Sequence, residues 1–165
     1  MNEPEKVAWA HAYRNQDIIC VYTYSGYRGC AYDPQGKETI LGVDTDDIVL
    51  GIAVQEALAH SRFLSLDEAQ EFLDFRLVEQ RYAERIKSLM ERQGYKNKTA
   101  LFRRMELCSI TLSKGTIQIT PMIHKKLESW VRNKSDGIED VFIAADSLPN
   151  EIGAALRLGF SRCVA

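Results

Sequence analysis

Hydrophobic and polar positions alternate through the first third of the chain and then change to helical spacing. Residues 7–13 (VAWAHAY) and 17–24 (DIICVYTY) alternate and are rich in β-branched and aromatic types, which predicts strands. A tight turn at Ser25-Gly26 would place Tyr24 opposite Tyr27 and start a third strand, 27–32. Asp33-Pro34-Gln35-Gly36 has turn chemistry and leads into ETILG, so the opening third reads as a meander. The next segment, around LGIAVQEALAHSR, repeats apolar residues at three- and four-residue spacing and predicts a helix near 46–61, with Thr45 as its cap. Ser65-Leu66-Asp67-Glu68 is a capping box. Behind it a stripe of Leu66, Ala69, Phe72, Phe75, Val78, Tyr82, Ile86 and Leu89 runs to a natural stop at Gly94, as one long helix or two shorter ones.

The second half returns to sheet. A short helix around TALFRRM precedes a hairpin made of LCSITL, the turn Ser113-Lys114-Gly115 and TIQIT. Pro121 to Val131 carries Ile123, Leu127 and Trp130 at helical spacing and reads as a helical turn. DVFIAAD (140–146) is a further strand, and Ser147 is the expected cap of a closing helix that contains IGAALRLGFSRC. Gly51 and Gly153 sit inside the apolar stripes of their helices, where each implies close approach of another backbone, expected at helix–sheet contacts. The order β-β-β-α-α-β-β-(α)-β-α predicts an α+β fold, a mostly antiparallel sheet with helices packed against it, in one domain spanning 1–165.

Composition narrows the function. A chain of 165 residues with 27% charged and 45% hydrophobic positions suits one globular core. The net charge of −2 lacks the basic footprint of a nucleic-acid binder, and no segment is apolar enough for a membrane span. The acidic start MNEPEK is unlike a secretory signal, so a cytoplasmic location is expected. In that setting Cys20, Cys30, Cys108 and Cys163 read as thiols, with Cys20 and Cys30 on opposite faces of the ribbon. His11, His60 and His124 lie far apart, and Asp44, Asp46 and Asp47 lack the glycine and distant glutamate of a calcium loop, so no metal and no cofactor are expected. No phosphate-binding loop, nucleophile elbow or zinc-protease motif occurs, and no catalytic residue is assigned.

Four stretches, LGIAVQEALAHSR, GYKNKTALFRRMELCSI, TIQITPMIHKKLESW and IGAALRLGFSRC, together resemble the immunity proteins of bacterial contact-dependent growth inhibition systems, the CdiI group. The resemblance implies a non-catalytic cytosolic inhibitor of the C-terminal toxin domain of a cognate effector, commonly a nuclease that attacks tRNA or other RNA. It carries over no binding residue. From the residues themselves, the candidate toxin-binding groups are the acids at the helix starts, Asp44, Asp46, Asp47, Glu68, Glu71 and Asp74, suited to a basic partner. The alternative surface is the tyrosines Tyr22, Tyr24, Tyr27 and Tyr32. Two other functions stay open: a small enzyme or nucleotide-responsive protein whose site forms only in three dimensions, and an RNA-binding module using Lys96, Lys98, Arg103 and Arg104.

Overall fold

Strand β2 (Ile18–Gly26) is buried at all nine of its positions, so neither face of the sheet it belongs to meets water there. The computed structural model describes residues 4–133 and 135–165. Around β2 lie β1 (Ala8–Arg14), β3 (Cys30–Tyr32), β4 (Glu38–Gly42), β5 (Glu106–Ser113), β6 (Thr116–Pro121) and β9 (Val141–Ala144). They form one sheet in the order β3-β2-β1-β5-β6-β9, with β4 sharing the β2 edge beside β3, and every strand pair is antiparallel. Its period-two alternation sends Ala10, Ala12, Ile19, Val21, Cys108, Ile110 and Ile119 to one side, against α1 (Asp47–Ala59) and α5 (Pro149–Ser161). The other side presents Trp9, Tyr13, Cys20, Tyr22, Tyr24 and Leu107 to α3 (Phe75–Gln93) and α4 (Lys98–Phe102). The expected α+β architecture is present, with helices on both faces.

The chain passes between the two helical layers around the β2 edge. Gly26 donates to the Arg62 carbonyl (3.1 Å) and accepts from Leu64 (2.8 Å), and the Arg62 guanidinium grips buried Asp33 at 2.8 and 3.0 Å. Burial pushes the Asp33 carboxyl up, but bonds from Arg62 and Ser25 outweigh it and hold the pKa below its ordinary value.

Several boundaries differ from the sequence reading. The first hairpin turns at Tyr27-Arg28-Gly29, with Tyr24 paired to Tyr32 and Gly26 to Cys30. Ser25 is buried and bonds Asp33 (2.7 Å), which keeps it in the strand rather than the turn. Cys20 and Cys30 consequently share a face, both against the aromatic cluster. Asp46, not Thr45, caps α1. The capping box at Ser65 and Glu68 starts α2 (Leu66–Phe72), and Asp74 caps α3 separately, so the long stripe is two helices ended by Gly94 in the left-handed conformation. Leu148 replaces Ser147 as the cap position of α5, with Pro149 supplying the first turn. Residues 121–131 are not helical: β7 (Ile123–Lys126) and β8 (Ser129–Val131) form a hairpin on which His124 stacks over Trp130 at 4.7 Å, and the indole donates to the Met105 carbonyl.

Gly51 and Gly153 share one contact, between helices. A Cβ at Gly51 would meet the Pro149 backbone, 2.6 Å from its carbonyl carbon, and a Cβ at Gly153 would meet the Asp47 backbone, 2.7 Å from its carbonyl carbon. Each glycine therefore lies beneath the first turn of the partner helix. Arg157 of α5 completes the joint by pairing with Asp47 (2.7 Å) and bonding the Thr45 carbonyl. The helix–sheet role expected of them belongs instead to Gly159, where a Cβ would lie 2.7 Å from Ile119 and 3.2 Å from the Cys108 sulfur. At a free helix surface, glycine to alanine adds up to about 1 kcal/mol of stability. Here Gly51→Ala and Gly153→Ala are each expected to cost roughly 1–3 kcal/mol through overpacking against backbone. Urea unfolding checks the sign, and a stabilised alanine variant would refute the close crossing.

Candidate functional site

A charged side chain is enclosed on the aromatic face of the sheet. Arg85 of α3 is 5% exposed and sits over five tyrosine rings, nearest Tyr22 at 4.5 Å and Tyr32 at 4.8 Å. Its bonded partners are hydroxyls, Tyr24 at 3.1 Å and Tyr13 at 3.5 Å, rather than a carboxylate. Burial opposes the charge, but the encircling tyrosine oxygens favour it and hold the guanidinium above its ordinary pKa. The His11 ring stacks on Tyr24 at 3.7 Å; burial first, and the Arg85 charge second, lower its pKa to about 3. Among the described residues Arg85 Nε, Tyr22 Oη and His11 Nδ1 have no hydrogen-bond partner, and the void beside Arg85 of about 10 Å³ has room for at most one water. The hydroxyls of this cluster turn inward onto Arg85, and at its edge a surface pocket of about 200 Å³ is lined by Tyr32, Glu38, Arg81, Arg85 and Arg92.

Its consequence for the alternative tyrosine surface is direct. Tyr22 is 1% exposed and Tyr24 9%, both turned onto Arg85, so only Tyr27 and Tyr32 of that set reach solvent. Sequence reasoning missed Arg85 because it lies in a run of exposed bases on α3; the signal was its place beside Ile86 and Leu89 on the buried stripe.

The acidic candidates divide into two groups that α1, about 20 Å long for its 13 residues, and then the sheet edge hold apart. Within the first, Asp46 caps α1 through Val49 N (2.8 Å) and Asp47 pairs with Arg157, while Asp44 is exposed and makes no hydrogen bond or ion pair among the described residues. Within the second, Glu68 closes the capping box and Asp74 caps α3, leaving Glu71 exposed beside Arg62, Phe72 and Arg81. What the sequence did not disclose is the company Asp44 and Asp46 keep. The solvent side of α1 is itself apolar, with Ile48, Val49 and Ile52 at 53, 41 and 40% exposure, and Leu148, next to the Gly51–Pro149 contact, is 60% exposed. Asp146 and Glu151 are exposed on either side of Leu148. The signal was present as IVLGIAV, a run apolar on every side of the helix.

The basic segment at 96–104 is folded around its aromatic residue. Lys98 pairs with Glu128 (3.3 Å), Arg103 and Arg104 are exposed, and Phe102 is 2% exposed, so its ring is not available to stack on a base. Among the described residues no three His, Cys, Asp or Glu side chains converge as metal ligands, and no helix is long and apolar enough to cross a membrane.

The half-buried His11, whose ring lies against Tyr24 with its Nδ1 out of contact with water, generates a pH prediction. The unfolded chain binds a proton near 6.5 and the folded chain only near 3, so this contribution to stability is complete above pH 6.5 and is lost as pH falls toward 3. The slope is up to about 1.4 kcal/mol per pH unit. Urea unfolding at pH 6.5 and 5 is expected to show a drop of about 2 kcal/mol that His11→Phe largely removes. Equal drops in both proteins would contradict the neutral, buried ring.

Comparison with known proteins places this geometry. The family model for CDI immunity proteins matches residues 8–163. An immunity protein of Yersinia pseudotuberculosis serotype O:3, CdiI-YPIII, is 41% identical over 99% of both chains. A solved CdiA-CT/CdiI toxin and immunity complex from Yersinia pseudotuberculosis superposes with a TM-score of 0.88 at 41% identity, covering 96% of this chain and 98% of that one. A protein of unknown function from Neisseria meningitidis gives 0.89 at 38% identity over 99% and 98% of the two chains. With the match running from β1 to the residues after α5, the chain belongs to the CdiI family of contact-dependent growth inhibition immunity proteins.

Proposed function

We propose that this protein binds and neutralises the C-terminal toxin domain of a cognate contact-dependent growth inhibition effector, acting in the cytoplasm as an inhibitor without catalysis of its own. The observation that carries this reading is the 41% identity to an immunity protein along essentially the whole of both chains, since it includes every element of the fold. The toxin is, on this reading, a nuclease with a basic surface. RNA, and tRNA first, is the substrate to assay, with DNA as the comparison.

The geometry favours the start of α1 as the contact surface. Ile48, Val49, Ile52 and Leu148 supply apolar area that can be buried on association, and Asp44 and Asp46 line its edge with negative charge on a rigid helix. A nuclease surface that binds phosphates carries the complementary charge. The acids at the starts of α2 and α3 form the second candidate, where Glu71 stands near exposed Leu66 and Phe75.

Two sets of variants separate the surfaces from the function. Ile48→Glu with Ile52→Glu is expected to weaken toxin binding at least tenfold while leaving the melting temperature close to wild type, because both side chains are already exposed. Asp44→Lys is expected to slow association and reduce its salt dependence, without the loss of a helix cap that Asp46 or Asp74 variants would suffer. Glu71→Lys with Phe75→Glu serves as the opposing test. Calorimetry and association kinetics with the purified toxin domain read all three. Failure of the wild-type chain to bind the toxin domain encoded with it would overturn the function; unchanged binding by the α1 variants would overturn only the surface.

A further inference from the structure

We propose that Cys108 and Cys163 are a peroxide-responsive thiol pair that closes to a reversible disulfide and staples the end of α5 to β5. The two sulfurs lie 3.7 Å apart, in contact but unbonded, although their residues are 55 positions apart in the chain. Cys108 is fixed in the sheet, between Ala12 of β1 and Pro121 of β6, and is fully buried. Cys163 follows the last residue of α5 and its cap, and its sulfur lies within bonding distance of the carbonyls of Leu107 (3.3 Å) and Gly159 (3.6 Å). The sulfur that must move is thus the one outside regular structure. Gly159 keeps the approach open, because a side chain there would press on the Cys108 sulfur at 3.2 Å.

The two thiols are also unequal. Hydrogen bonding from Cys108 lowers the pKa of Cys163 despite its partial burial, whereas burial raises that of Cys108. Cys163 is also partly exposed whereas Cys108 is fully buried, so peroxide reaches Cys163 first; its thiolate attacks, and Cys108 is the resolving thiol. The thiolate of Cys163 attacks one oxygen of hydrogen peroxide; the O–O bond breaks, and the departing hydroxide takes up a proton as water, leaving a sulfenic acid. The Cys108 sulfur then attacks the Cys163 sulfur and gives up its proton, the S–O bond breaks, and a second water leaves. Two thiols are oxidised and one peroxide is reduced to two waters. Cys20 and Cys30 do not compete: Cys30 stands opposite Gly26, six positions along β2 from Cys20, and burial pushes both thiols up to about 12.

In a reducing cytoplasm all four cysteines remain thiols, and the staple forms only when peroxide rises. Once formed, it ties down the C-terminal tail, where Val164 bridges Ile123. The test is native protein treated with hydrogen peroxide, then denatured, alkylated with N-ethylmaleimide and weighed intact. Two adducts are expected instead of four, with one linked peptide pair containing Cys108 and Cys163, a rise in Tm of about 5 °C or more, and full reversal by dithiothreitol. Cys163→Ser is expected to abolish the link and the Tm rise, and the double variant Cys20→Ser, Cys30→Ser to retain both. Four adducts after oxidation, a link involving Cys20 or Cys30, or a sulfinic acid at Cys163 without any link would each overturn the proposal.

Discussion

Burial of β2 on both faces is the constraint from which the rest of the arrangement follows. An antiparallel sheet can leave one face in water, but IICVYTYSG is mostly aliphatic or aromatic on both faces, and its Thr23 and Ser25 hydroxyls are bonded inside the fold. Helices must cover both sides, and a chain that lays down α1 on one side has to pass the sheet edge before α3 and α4 can cover the other. The passage is made at Gly26, where strand backbone bonds the 62–64 linker and a buried carboxylate holds Arg62 in place. Breaking that grip would leave the buried Asp33 charge without its counter-ion, which is costlier than never having had the pair.

The two faces then solve the packing problem differently. On the aliphatic face, alanines in β1 and glycines in α1 and α5 bring backbones close, and dispersion between well-packed surfaces does the rest. On the aromatic face the space is wider and is filled by rings, with one guanidinium in the middle whose charge is solvated by hydroxyls and π-faces instead of by water or an acid. The first face leaves a smooth helical pair with apolar residues to spare on its outside. The second is self-contained. A protein that recognises a partner is free to spend its polar interior on rigidity in this way.

Much of this was legible in the sequence where one residue type admits one local use. Ser65 with Glu68 and Gly94 marked helix ends, and alternation marked the strands of both hairpins. Legibility failed where a local pattern served two outcomes. Ser25-Gly26 has hairpin-turn chemistry, but Asp33, eight positions on, draws Ser25 into the strand and moves the turn by two residues. Ile123, Leu127 and Trp130 fit a helix as well as a hairpin, and the stacking of His124 on Trp130 decided it. The acids were visible but their uses were not, because capping, pairing with Arg157 and facing a partner all call for the same side chain near a helix start. Arg85 was hard to read for the opposite reason: its place on the buried stripe was visible, but the solvation that lets a cation stay there comes from tyrosines on three strands.

The strand order has a consequence for how the molecule comes into being. In the sheet, β1 lies between β2 and β5, with Ala12 set against Cys108, so β1 gains its second neighbour only when a segment almost 100 residues downstream arrives. During synthesis from the N-terminus, the β1–β4 meander and α1 emerge first, with one edge of β1 unpaired and the glycine face of α1 uncovered until α5, the last helix, leaves the ribosome. Such long-range closure is slow, and an open edge strand is a template for the wrong partner. The growing chain therefore depends on being kept apart from its neighbours until its final residues are made, and a truncation that removed α5 would forfeit the first half of the fold along with the last.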